Sequence, residues 1–385
     1  MGVDRRKAAV FGGAVVVRLL LFTAFPSLSD LLTGRVEIST PVTSFKRLQE
    51  GLFLYTHNLL CANALVKIAD TGESGSTRLF TSPRSHVKWN SVAVGAAYLF
   101  NPFTIATCIA RSTSVFTNCA TLYAVERATR GKPLTSMLAL SCATYLALYP
   151  MLLLPPLTIL CYDRQTVSKS SKSPKSPLSF SGSMGGIFAS ATSILLSLSY
   201  LITGSSWEFL SSTYGVQLLL PDLTPNVGLW WYFFIEMFDP FREFFLGVFW
   251  LHLGGYVGGL CLRLRRQPLF VATCLLGIFA IFKPYPSISD TSLFLSLVPL
   301  YRHVFPLMRY TFFTASALLY ATLLGPAFYY LWIYAGSGNA NFFYAITLVW
   351  SLGLSVLLAD LLFAVLRDEW EVERPEMKGR DVRQI

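Results

Sequence analysis

Apolar runs long enough to cross a bilayer, which takes roughly 20 residues each, recur along almost the whole of this 385-residue chain. Hydrocarbon offers no water to backbone N–H and C=O groups, so such runs fold as helices. Irregular backbone survives at that depth only when it is buried in protein or lines a water-filled cavity. Composition agrees: 53% of the residues are hydrophobic, 15% aromatic and only 14% charged, with a mean hydropathy of +0.52. That leaves too little polar surface to cover a water-soluble globule. The chain therefore reads as all-α, a polytopic transmembrane helical bundle forming a single integral membrane domain over residues 1–385.

The first run, Ala8 to Phe25, follows Arg5, Arg6 and Lys7 and ends in no convincing small-residue cleavage site. It reads as an uncleaved first helix behind a cytosolic N-terminus, residues 1–7. About 10–12 crossings follow from hydropathy along the chain. Several runs are short or interrupted by Pro150, Pro155, Pro156, Pro221, Pro284, Pro286 and Pro299, which points to broken or re-entrant helices around an internal site. Basic residues gather in loops, among them Arg127, Arg130 and Lys132, then Arg263, Arg265 and Arg266. Such loops face the cytosol. Residues 26–51 then form a lumenal loop, 163–185 a disordered basic cytosolic loop around a Ser/Lys/Pro tract, and 367–385 a solvated cytosolic tail.

The net charge of +10 lies in those loops and signals orientation, not nucleic acid. The seven cysteines fall mostly inside apolar runs and show no C-x-x-C spacing, so they read as small core residues. His57, His86, His252 and His303 are scattered, with no H-E-x-x-H pair. No nucleophile elbow, phosphate-binding glycine loop or metal constellation is present, and no cofactor or metal is expected.

From Leu220 to Phe245 a polar turn bracketed by Pro221 and Pro225 abuts Trp230, Trp231, Tyr232, Phe233 and Phe234, with Glu236 beyond them. Aromatic rings gather where a helix passes the headgroup level, so this block marks a membrane boundary.

This block, with Arg35–Gly51, Tyr98–Asn118, Ala143–Pro156, Ala280–Asp290 and Trp332–Leu348, resembles the PIG-U family, the polytopic subunits of the GPI transamidase of the endoplasmic reticulum. The segments fall in the family's order and cover most of the chain. After Gly51 the family's longer lumenal stretch, with its S-P-Y-x-G and F-H-x-x-P patterns, is missing. The resemblance implies a non-catalytic subunit in the endoplasmic reticulum membrane. There a complex cleaves a C-terminal signal from a precursor protein and joins the new carboxyl end to the ethanolamine phosphate of a GPI lipid. It also implies as partners the other transamidase subunits, including a caspase-like one that carries the nucleophilic cysteine, together with the GPI lipid, the precursor's GPI signal and membrane lipids.

A GPI lipid needs an apolar groove with polar groups at its lumenal end. Asn339 and Asn341, beside Phe342, Phe343 and Tyr344, offer amides to sugar hydroxyls, or else form the turn that caps the last helix. Asp222 and Asn226 sit in the polar turn, and Trp231 belongs to the aromatic wall. Glu236, a carboxylate in an apolar helix, meets either the glucosamine ammonium or an arginine such as Arg242, in an internal or interfacial pair that orders the bundle. Lys283 either snorkels to the interface or contacts a lipid phosphate. The family also resembles the GT-C glycosyltransferases in architecture, which supplies a rival function: a lipid-linked mannosyltransferase of GPI assembly using Asp30 or Glu37 as general base.

Overall fold

The structure, a computed structural model, describes residues 5–38, 51–71, 82–168 and 176–380. Among them there is no strand. The helices are α1 (Arg5–Ala24), α2 (Pro26–Thr33), α3 (Gly51–Asp70), α4 (Ser91–Leu99), α5 (Pro102–Ile109), α6 (Ser114–Thr129), α7 (Pro133–Leu146), α8 (Leu154–Ser168) and α9 (Pro177–Ile202). After these come the short α10 (Glu208–Leu210) and α11 (Val216–Leu219), α12 (Trp230–Ile235), α13 (Asp239–Arg263), α14 (Pro268–Phe282), α15 (Ile288–Leu297), α16 (Thr311–Ile333) and α17 (Ala340–Glu373).

Five prolines begin α-helices among the described residues. Pro26, Pro102, Pro133, Pro177 and Pro268 occupy first positions, where the missing N–H is needed least and the fixed φ suits the helix. Asparagines cap others: Asn90 accepts from the Val92 amide at 3.0 Å and Asn101 from the Phe103 amide at 2.9 Å. Ser287 and Asp290 form a reciprocal capping box at the start of α15.

This punctuation divides the apolar runs into helices of unequal length. Among the described residues five helices are long and apolar enough to span a bilayer: α1, α9, α13, α16 and α17. The pair α4 and α5, bent by 51° at Asn101, makes a sixth if counted as one span. The 10–12 crossings expected from hydropathy exceed that number, which rests on length and composition alone; α7 and α14 are apolar but shorter, and α12 has only six residues. The expected loops are likewise partly helical. Helix α2 occupies the start of 26–51, α8 and α9 take in 163–168 and 177–185, and α17 continues to Glu373. Residues 169–175, 39–50 and 381–385 lie outside the described residues.

Helix α14 is the centre of the bundle, with every residue from Pro268 to Ile281 buried. Helix α17 packs against both α14 and α16, while α3, α6 and α7 form the other half. Two charged residues inside apolar helices bond to backbone groups at helix ends. Arg18 of α1 is 1% exposed and donates to the Ala14 carbonyl and, at 2.9 Å, to the Leu99 carbonyl at the end of α4, where a cation complements the helix dipole. Asp360 of α17 accepts from the amides of Arg309 and Tyr310 and so caps the start of α16.

One end of the bundle is a lattice of charges. Arg84 bridges Asp368 and Glu371 at 2.7 and 2.5 Å, Arg263 reaches Glu369 and Arg265 reaches Asp163. The candidate site lies at the opposite end, beyond Phe282 and before Ala340.

Candidate functional site

The polar turn after α11 is built to hold still. Leu220 adopts a left-handed conformation, φ 49°, and its carbonyl accepts from the Arg242 guanidinium. Asp222 closes an Asx turn, accepting from the Thr224 amide at 2.8 Å, while the Tyr285 hydroxyl donates to its carbonyl at 2.6 Å. Buried Asn226 accepts from the Gly228 amide at 2.7 Å. Gly228 runs so close to Pro286 that a Cβ there would meet the ring at 2.5 Å. Trp230 Nε1 donates to the Phe282 carbonyl at 2.8 Å. The turn is thereby fastened to the end of α14, and it aims α12 at the loop between α16 and α17.

There the rings interlock. Trp231, 1% exposed, lies against Trp332, Phe343 and Tyr344 with centroids 5.7–6.1 Å apart. Tyr232 stacks on Tyr344 at 4.5 Å and donates its hydroxyl hydrogen bond to Asn341. The Tyr344 hydroxyl donates to the Leu229 carbonyl at 3.2 Å. Such offset and edge contacts each contribute about 0.5–1.5 kcal/mol beyond area burial.

Beside this cluster opens a cavity of about 320 Å³ between α2, α5, α16 and α17. Leu31, Phe103, Ala321, Gly325, Phe343 and Ile346 make it largely apolar. Its polar features are few. Arg35 and Glu37 stand in its wall, 3.8 Å apart. Glu37 and Trp350 both line it, and the Glu37 Oε1 and Trp350 Nε1 atoms are buried without a hydrogen-bond partner among the described residues. Pro326 has no N–H, so the Thr322 carbonyl loses its helical donor, and both residues line the cavity. An apolar cleft of this size with a few polar groups converging on it is the usual form of a ligand site. The backbone fixes the wall: Ser29 donates to the Ile109 carbonyl at 2.9 Å, and the Ile288 amide donates to the Glu37 carbonyl at 3.0 Å. Burial raises the Glu37 pKa, against the opposing charge of Arg35 and a backbone hydrogen bond.

The residues expected from the sequence divide into two groups. Asn341, Phe343, Tyr344 and Trp231 converge on the cluster beside the cavity, and Phe342 stacks on Phe328 at its exposed edge. Asn339 caps α17 through the Phe342 amide at 3.3 Å, the turn-forming alternative. Asp222 and Asn226 serve the turn itself. Glu236 does not face the bundle interior: it is exposed, and Arg242 is engaged with Leu220 instead. Lys283 is not at a free interface either. It binds Asp290 at 2.6 Å beside a separate, smaller polar cavity of about 70 Å³. Asp30 is exposed on α2, while Glu37 lines the cavity between α2, α5, α16 and α17. The part that sequence reasoning missed is the α16 wall, signalled only by Gly325-Pro326 inside an apolar run. Among the described residues no group of three or more His, Cys, Asp or Glu side chains could hold a metal ion.

Comparison with known proteins gives a consistent result. The family described as GPI transamidase subunit PIG-U matches residues 12–61 and 58–350. The chain is 37% identical to the GPI transamidase component GAB1 of Saccharomyces cerevisiae, over 95% of this chain and 96% of that protein. It is 32% identical to the GPI-anchor transamidase component PIGU of Homo sapiens, over 93% of both chains. It is 33% identical to the GAB1 homolog of Schizosaccharomyces pombe, again over 93% of both. The two matched segments of the family meet at residues 58–61, shortly after Gly51, where the resemblance is interrupted.

Proposed function

The chain belongs to the PIG-U family of GPI transamidase subunits, a multi-pass membrane component of GPI-anchor attachment, and from that membership we propose that its own task is to hold the GPI lipid. It does so without catalysing the transfer, next to a caspase-like subunit that carries the nucleophilic cysteine, in the membrane of the endoplasmic reticulum. The observation that carries this reading is the apolar cavity beside the Trp231, Phe343 and Asn341 cluster. Part of an acyl chain fills the cavity, and the amides and ring edges around Asn341 meet the inositol and sugar hydroxyls. The precursor's C-terminal signal is the other hydrophobic substrate that passes this face.

Orientation supports the reading. The end rich in Arg84, Arg263, Arg265 and Arg266 is cytosolic by the positive-inside rule, which turns the cavity end toward the lumen, where anchors are attached. Asn341 keeps its amide N–H groups unbonded among the described residues, since the bond from Tyr232 uses its oxygen.

The test is to fill the cavity. Ala321→Phe and Gly325→Leu are introduced into the full chain, expressed in cells lacking their own PIG-U, and surface display of a GPI-anchored reporter is measured. Display falls strongly while the subunit still co-purifies with the complex. Normal display from a chain with a filled cavity would remove the cavity from the function. The mannosyltransferase alternative makes a different demand: loss of GPI mannosylation, not of attachment, in Asp30→Asn.

A further inference from the structure

The cavity contains a charge arrangement that an apolar chain alone would not need. Glu37 lines the cavity with a side chain 12% exposed, and one of its carboxylate oxygens, Oε1, is buried with no hydrogen-bond partner among the described residues. A buried unpaired acceptor is costly, and an ionised one far more so. Arg35 does not relieve it: its Nε lies 3.8 Å from Oε2, outside hydrogen-bond range, and the guanidinium makes no other bond among the described residues. The two side chains are held in place. Val36 between them is buried against Trp231 and Phe343, and the Glu37 carbonyl is tied to the Ile288 amide. Among the described residues, an incompletely used cation and an incompletely used anion thus stand side by side at one wall of an apolar cavity.

We infer that Arg35 and Glu37 read the zwitterionic core of the lipid, Arg35 taking the phosphodiester and Glu37 the free ammonium of the glucosamine. This rests on the lipid-holding role proposed above and adds a specificity to it. The phosphodiester joins the diacyl or alkyl portion to inositol, and the glucosamine is attached to the same ring, so opposite charges flank one sugar. Guanidinium forks suit phosphate oxygens, and a carboxylate with a free lone pair suits an ammonium. The site therefore distinguishes the free amine from its N-acetyl form. Acetylation removes the charge and adds bulk, leaving Glu37 buried and unpaired.

The experiment uses the assembled transamidase containing the full chain, in nanodiscs. The probes are synthetic glucosaminyl-phosphatidylinositol and the N-acetylglucosaminyl lipid with identical chains, against a phosphatidylcholine reference. The wild-type complex prefers the free amine by about tenfold, equivalent to about 1.4 kcal/mol. Glu37→Gln, close to isosteric, reduces that preference to within about twofold, while Arg35→Gln weakens both lipids alike and keeps the preference. Equal binding of the two lipids by wild type, or a preference that survives Glu37→Gln, overturns the inference and leaves the lipid-holding role standing. Binding of neither lipid above the reference overturns the lipid-holding role, and this inference with it.

Discussion

The hydroxyl of Tyr232 donates to the side-chain oxygen of Asn341, 109 positions further along the chain. The bond joins the aromatic helix α12 to the first turn of α17 and orients the Asn341 amide N–H groups outward. Tyr232→Phe keeps the stack on Tyr344 and removes only that bond. Stability then changes by about 1 kcal/mol at most, and display of a GPI-anchored reporter falls by a few-fold. Asn341→Ala loses the amide as well and lowers display by about tenfold, the equivalent of one charge-free hydrogen bond or two to the ligand. Unchanged display in Asn341→Ala would show that the amide has no contact with the lipid.

Lys283 behaves as a structural residue. Its partner Asp290 also accepts from the Ser287 amide at 2.8 Å and hydroxyl at 3.1 Å, so one carboxylate fixes both the lysine and the start of α15. Lys283→Met is expected to destabilise by about 1–3 kcal/mol, seen as a lower Tm of the purified complex. A selective loss of lipid binding at unchanged Tm would instead return Lys283 to the site.

Two glycines separate the turn from the lipid face. Gly228→Ala places a methyl 2.5 Å from Pro286 and 2.8 Å from the Asn226 side chain, and costs about 1–3 kcal/mol as the loop is forced off α14. At Gly254 of α13 an added Cβ meets nothing within 4 Å. Gly254→Ala is therefore neutral or stabilising by up to about 1 kcal/mol. Thermal melts of the two variants side by side check the difference.

Glu37 gives the stability a pH dependence with a definite sign. Burial holds its folded pKa above the ordinary value of 4.5, with Arg35 acting the other way and the Tyr329 phenol also facing it. A raised folded pKa means that the group's contribution is complete below the unfolded pKa and is lost as pH rises through the folded one. Glu37→Gln removes the loss. Melting curves of variant and wild type should coincide at the acid end and separate toward neutral pH in the variant's favour. An advantage for wild type at neutral pH would mean that the Arg35 contact outweighs burial.

Much of this was legible from sequence for physical reasons. Long apolar runs leave the backbone no choice but helices, and the Pro and Asn that begin α5, α14 and α17 stand in the sequence at the positions where the helices start. The aromatic block and the Asn341 segment could each be singled out, because rings and amides beside apolar runs are uncommon. What the sequence could not supply is convergence: nothing local says that Glu37, Gly325 and Trp350 line one cavity. The exposure of Glu236 was not legible either: an acid within an apolar run suits the interior as well as the interface, and only the six-residue length of α12 carries it to the surface. Hydropathy along the sequence does not separate a long spanning helix from a shorter buried one such as α14, so the crossing number is not legible from it. Arg18 went unread, although a lone arginine in an apolar helix needs a partner, which the Leu99 carbonyl provides.

The most direct measurement is photocrosslinking of the assembled complex with a GPI lipid carrying a diazirine in its acyl chain, followed by peptide mapping. The account predicts adducts on the α16 and α17 segments around Ala321–Pro326 and Phe343–Trp350, abolished in Ala321→Phe. Adducts confined to other subunits, or to the groove between α3, α6 and α7 of this chain, would contradict it.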